Sequence, residues 1–166
     1  MGSGLIMRKK TTILIMVACL FILVLVFGII FYSPKIKMTM NERNLIDAIH
    51  AYQDEDTQIF LTDVTPFEWD SVYFFAPYTS VEQIYNATGY NWRFATISVN
   101  EGTMQIVFLK NEKVICYLRG YPSTNGYYID CAFDHYSTAY TVLYAKNNPR
   151  FSVTCANNYI ELKYIE

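Results

Sequence analysis

The chain is short of the residues that metal sites, nucleophilic catalysis and nucleic-acid binding depend on. Of its 166 residues only two are His and four are Cys, and none fall at zinc-ligand spacing. Seven Gly and five Pro are scattered along the chain, which excludes collagen-like and low-complexity architectures and leaves no glycine-rich phosphate loop. Charge is scarce and nearly balanced, 13 Lys and Arg against 15 Asp and Glu for a formal −2. A nucleic-acid partner, which calls for a basic face against phosphates, is excluded on that ground. No nucleophile motif is present, so neither a metal nor another cofactor is expected, and the protein reads as a non-enzyme.

Apolar residues are abundant at 52% of the chain, aromatics alone at 17%. Residues 13–32 read ILIMVACLFILVLVFGIIFY without a charge, which as a helix spans about 30 Å, the depth of a bilayer's hydrocarbon core. A domain of the remaining size rarely encloses such a run on all sides, so a buried core helix is rejected. Arg8, Lys9 and Lys10 precede the run as the basic region of a signal peptide would. Signal cores are shorter, however, and end at a small-x-small site, whereas GIIFYSPK follows Phe27. Met16-Val17-Ala18-Cys19 loosely matches a lipoprotein cleavage box, but Leu20 to Tyr32 continue uncharged where such a protein turns polar.

The run is therefore read as an uncleaved transmembrane helix over 13–32, between a basic cytoplasmic tail, 1–12, and a stalk, 33–40. An extracytoplasmic domain, 41–166, follows. The membrane-flanking charges are Arg8, Lys9 and Lys10 on one side and Lys35 and Lys37, with Arg43, on the other, a tie under the positive-inside rule. The free amino group on the first side and Glu42 on the second break it, placing the amino terminus in the cytoplasm of a single-pass cell-membrane protein. Residues 33–166 hold ten of the 13 basic residues and all 15 acidic ones, a formal −5. That domain does not cling to anionic lipid by charge.

Beyond the anchor lie Cys116, Cys131 and Cys155. Alternation aligns Cys116 with Val114 and Leu118, Cys131 with Tyr127 and Ile129, and Cys155 with Phe151 and Val153, which reads as three small core hydrophobes. One disulfide among the three stays open, and an odd number leaves one thiol over in an oxidising compartment.

In the exposed region Ser33-Pro34 is expected to end the spanning helix and Asn41 to cap the next, over 42–53. Leu45, Ile46, Ala48, Ile49 and Tyr52 fall on one face of that helix, with Asp47 and His50 off it. Strands are expected over 58–63 and 68–75, and a short helix over 80–88, opened by a Thr79/Glu82 capping box and closed by Gly89. Further strands are expected over 94–99, 103–109, 113–119, 127–133, 139–145, 150–155 and 159–165. They are separated by turn residues such as Asn111-Glu112 and Asn157-Asn158, and such short links favour antiparallel neighbours. In the last run Ile160, Leu162 and Tyr164 face one way and Tyr159, Glu161 and Lys163 the other. The fold class is α+β: two short helices packed on a mostly antiparallel sheet.

The stretch Phe67-Glu68-Trp69-Asp70-Ser71-Val72-Tyr73-Phe74-Phe75-Ala76-Pro77-Tyr78-Thr79-Ser80, with Ile84, resembles a segment of small exported or membrane-anchored bacterial proteins of uncharacterised function. In these a Trp-Asp-x-x-Tyr strand runs into Pro-Tyr-Thr and a short helix. The resemblance spans about thirty residues and implies no catalytic group. Most rings here belong to a core, but Tyr78, Tyr90 and Trp92 lie near a loop and helix ends and are the candidates for ligand or partner contact. Catalytic constellations are weak: Cys131 with His135 has no third member, and Asp63, Glu68 and Asp70 are a conceivable carboxylate set. Asn86-Ala87-Thr88 fits a glycosylation sequon but falls in an expected helix.

The function expected is binding of a protein, peptide or cell-envelope component by a membrane-anchored domain that performs no chemistry. The alternatives are an envelope hydrolase using carboxylates, or an inhibitor or exclusion factor that occupies another protein's surface.

Overall fold

Turn residues cut the sequence after residue 52 into short strands too narrow to bury themselves singly, and the fold follows from how they stack. The computed structural model describes residues 3–52, 56–92, 95–96, 100–131, 139–156 and 158–165. It divides into two units, Met1–Ile36 and Lys37–Glu166. In the first, one helix begins that is long and apolar enough to cross a membrane: Thr12–His50 has a mean hydropathy of 3.4 over its most apolar 18 residues, none of them buried.

Helix α1 covers Ser3–His50 with Pro34 inside it, which corrects the expected break at Ser33-Pro34 and the non-helical stalk over 33–40. Proline forfeits one i→i−4 bond, and the other bonds of a long helix carry it through. Asn41 accordingly caps nothing; its amide donates from Nδ2 to the Ile115 carbonyl at 2.8 Å. The expected face of this segment is the buried one, with Leu45 and Ile49 at zero exposure and Ile46, Ala48 and Tyr52 packed beside them. The helix stops at His50, short of the expected residue 53.

Two four-stranded sheets follow. The first joins β1 (Thr57–Phe60), β7 (Arg150–Ala156), β8 (Tyr159–Tyr164) and β5 (Tyr127–Asp130) in that order. The second orders β4 (Lys113–Gly120), β3 (Met104–Lys110), β2 (Ser71–Phe75) and β6 (Tyr140–Tyr144). Each pairing is antiparallel except β5 with β8, which run parallel with Tyr127 opposite Ile160. The expected single sheet is thus two. A run that turns helical also differs: Leu61–Val64 forms a one-turn helix α2 where a strand was expected to reach residue 63, because Leu61 and Val64, three apart, both fill the core. The run 94–99 lies largely outside the described residues, as do residues 132 and 133 of the run 127–133.

The sheets face one another across the main core, where Val72, Phe74, Ile106 and Phe108 of the second meet Phe151, Val153, Ile160 and Leu162 of the first. Leu45 and Ile49 of α1 belong to the same core. On its other face the second sheet carries a smaller core of Phe75, Val107, Leu109, Val114 and Met38, covered by Ile84 of α3 (Val81–Thr88) and by Trp92. Six successive residues of β3, Met104–Leu109, are consequently buried, the pattern of a strand covered on both faces.

Helix α3 starts one residue later than its expected box. Ser80 accepts from the Gln83 N–H at 3.2 Å while Gln83 Oε1 accepts from the Ser80 N–H at 2.9 Å. Thr79 is withdrawn from capping because its buried hydroxyl donates to the Ala76 carbonyl at 2.7 Å. Gly89 closes the helix with φ 67°, left-handed backbone that suits glycine.

Candidate functional site

Between β2 and α3 the chain turns through Ala76-Pro77-Tyr78-Thr79, closed by the Thr79 N–H donating to the Ala76 carbonyl at 3.3 Å. Proline second and positive φ third is the pattern of a type II turn, whose third residue is ordinarily glycine. Here it is Tyr78, at φ 67° and 58% exposed. The turn is held from beneath, since Thr79 is buried and its hydroxyl lies 3.3 Å from the Ala139 carbonyl as well. A strained backbone thus presents a ring to solvent.

Pro77 of the same turn forms part of the wall of a cavity of about 530 Å³, with Phe74, Met104, Ile106, Tyr128 and Ile129. Asp130 and Lys163, opposite one another across β5 and β8, add its charges. An apolar lining with few polar groups, at this volume, is the make-up of small-ligand and side-chain sites. Burial raises the Tyr128 pKa, helped by the negative charge of Asp130 and Glu161, so its phenol stays neutral. Cys131 is also in the wall; burial first and Asp130 second push its thiol up to about 12, which leaves it protonated and a poor nucleophile.

Of the three rings proposed for ligand contact, Tyr90 and Trp92 come together, by stacking. Tyr78 is exposed as expected, and Tyr90 is half-buried. Trp92 corrects the expectation: at 5% exposure it lies in the smaller core. Tyr85 and Tyr117 meet its ring edge-on at 5.4 and 5.9 Å, and Tyr90 stacks on it at 6.4 Å. Tyr85 Oη donates to the Trp92 carbonyl, which brings the segment after Gly89 back onto α3. A ring of this area gains more from the core than from a loop surface.

The carboxylates are tied into structure. Lys110 Nζ lies 2.9 Å from Asp70 and 3.4 Å from Glu68, and Asp70 accepts the Asn111 N–H at 2.7 Å. That backbone bond, with the Lys110 bond next, holds the Asp70 carboxyl below its ordinary range. Asp70 therefore clamps the β3–β4 turn, while its neighbour Trp69 is buried and donates to Thr65 Oγ1 at 2.8 Å. Asp63 is exposed on α2, outside this pairing. His135 lies outside the described residues, and with it the expected pair with Cys131. In the sequon, the buried Thr88 hydroxyl donates to the Ile84 carbonyl at 2.8 Å.

None of Cys116, Cys131 and Cys155 is held in a disulfide. Cys116 and Cys131 are buried in line with their strand neighbours, but Cys155 is exposed, correcting its assignment to the core. It keeps the side of Phe151 and Val153, near the end of β7, where its Sγ lies 3.8 Å from the Tyr52 carbonyl. Burial raises the Cys116 pKa, with a smaller contribution from Glu42. Arg8, Lys9 and Lys10 lie on α1 ahead of the apolar run, and Lys35 and Lys37 lie after it.

Gln105 is the polar residue that pattern reading passed over. It is 1% exposed as the second residue of β3, and its Nε2 donates to the Thr96 carbonyl and to Tyr117 Oη, each at 2.8 Å. Its place inside the apolar run MQIVFLK was the available signal. Among the described residues no group of three His, Cys, Asp or Glu gathers as a metal site would. No family pattern, characterised protein or solved structure matches this chain.

Proposed function

We propose that this chain is a single-pass membrane protein with residues 13–32 in the bilayer and its amino terminus in the cytoplasm. Its extracytoplasmic domain binds a protein, peptide or cell-envelope component without chemistry. The observation that carries the reading is the apolar helix, whose most hydrophobic 18 residues are wholly unburied, a surface that water penalises and lipid accepts. The exposed Tyr78 beside an apolar cavity supports a contact site, since such rings supply much of the energy of small interfaces. The Asn111 N–H and Lys110 bonds that hold the Asp70 carboxyl below its ordinary range weigh against the hydrolase alternative, because a carboxylate held ionised makes a poor general acid.

The test is fractionation with protease treatment of intact cells. The full-length chain is expected in the membrane fraction after alkaline extraction, with residues beyond the span removed by external protease. Recovery of the intact chain in the soluble fraction overturns the anchor; complete protection overturns the orientation. A photo-reactive phenylalanine analogue at Tyr78 is expected to form a heavier adduct in membranes that the same analogue at Asp47 does not; equal labelling at both overturns the contact site.

A further inference from the structure

The edge strand β6 carries an inference that does not rest on the membrane reading. Its partner β2 lies on one side, with Ser71 opposite Tyr144 and Phe75 opposite Tyr140. The Ala76 N–H donates to the Ala139 carbonyl and the Ala145 N–H to the Asp70 carbonyl, each at 3.0 Å. In an antiparallel ladder such hydrogen-bonded pairs alternate, so residues 139, 141, 143 and 145 direct their main-chain groups to β2. Tyr140, Val142 and Tyr144 direct theirs to the open side, where no strand among the described residues pairs with them.

Most edges are guarded by charge, proline or a covering group. On β4 the outward Ile115 carbonyl is already taken by Asn41, and Lys113 and Arg119 flank it. β5 ends in Asp130. Tyr140-Thr141-Val142-Leu143-Tyr144 has no charge, proline or glycine, and it is built from residues that favour pleated backbone.

Its three outward positions, Tyr140, Val142 and Tyr144, also read alike in both directions about Val142. We infer that β6 pairs antiparallel with β6 of a second copy, on a two-fold axis at Val142. That register sets Val142 against Val142 of the other copy and each Tyr140 against a Tyr144. The three outward-facing positions then meet one another in hydrogen-bonded pairs, giving six main-chain bonds. The axis is isologous and closes at two copies, and no like charges oppose one another. Tyr140 already packs on Tyr73 and Phe75, at 5.6 and 5.7 Å between ring centres, so each Tyr140–Tyr144 pair prolongs an existing aromatic row across the seam.

The test uses the full chain in dodecyl maltoside, with Cys19 and Cys155 replaced by Ser. The protein mass from light scattering is expected at twice 19.3 kDa. Across the axis the Val142 Cα atoms lie about 5.5 Å apart, within disulfide reach, so V142C forms a covalent dimer on oxidation. The two Thr141 Cα atoms lie about 8 Å apart, beyond reach, so T141C does not. Val142→Lys faces two ammonium groups across the axis and lowers the dimer fraction about tenfold or more. Monomer mass for the parent overturns the inference, including where position 142 cross-links to another protein instead. Equal cross-linking of V142C and T141C, or a dimer that survives Val142→Lys, overturns it as well.

Discussion

Tyr78 occupies left-handed backbone at φ 67° with its ring in solvent, so the folded domain carries strain there that packing does not offset. A non-glycine residue pays about 1 kcal/mol or more in this region. Tyr78→Gly is therefore expected to be more stable than Tyr78→Ala by about 1 kcal/mol in urea denaturation, the reverse of their order in a helix. If Ala proves the more stable, the backbone at this turn is not left-handed. Both variants lose the ring, so both test the contact role equally while differing in stability. Strain of this kind persists where the surroundings over-determine it, and it gathers at sites of use.

At the scale of elements, the hairpin between β3 and β4 turns through Asn111 and Glu112, both at positive φ, 48° and 61°. Two left-handed residues in a two-residue loop make a type I′ turn, for which Asn-Gly is the favoured pair. Glu112→Gly is expected to raise stability by about 1 kcal/mol, read as a higher urea midpoint; a lower midpoint would show that Glu112 contributes contacts absent from this geometry. Such turns are why strands were legible: the expected runs 103–109 and 113–119 lie within one residue of β3 and β4. Pairing was not legible. Nothing local in Tyr127–Asp130 says that its neighbour is Tyr159–Tyr164, running parallel, because that register is a contact between distant stretches of chain. The cap of α3 shows the same limit at close range. Thr79-x-x-Glu82 and Ser80-x-x-Gln83 both fit the pattern, and the hydroxyl bonds of Thr79 decide between them. The burial of Trp92 is not legible from its place beside a helix end, because the area of its ring outweighs that position.

Over the whole domain, burial keeps several acidic hydrogens in place. Cys116, Cys131 and Tyr127 all have pKa values raised by burial, Cys131 to about 12. In the unfolded chain thiols ionise near about 8.5 and tyrosines near about 10. Unfolding above about pH 8.5 therefore releases protons, so the stability these groups contribute is intact at neutral pH and is lost as pH rises, by no more than about 1.4 kcal/mol per pH unit for each group. Urea midpoints of the full chain in detergent are expected to fall steadily from about pH 9 to 11; a flat or rising series would mean that the thiols reach water in the folded state.

The order of strands in the first sheet carries a consequence for timing. Among the described residues β8 is the last strand along the chain, yet it sits inside its sheet, between β7 and β5. While the polypeptide is being made, β5 waits without its neighbour until residues 159–164 emerge. The first sheet stays incomplete for that interval and closes only when its last-made strand arrives.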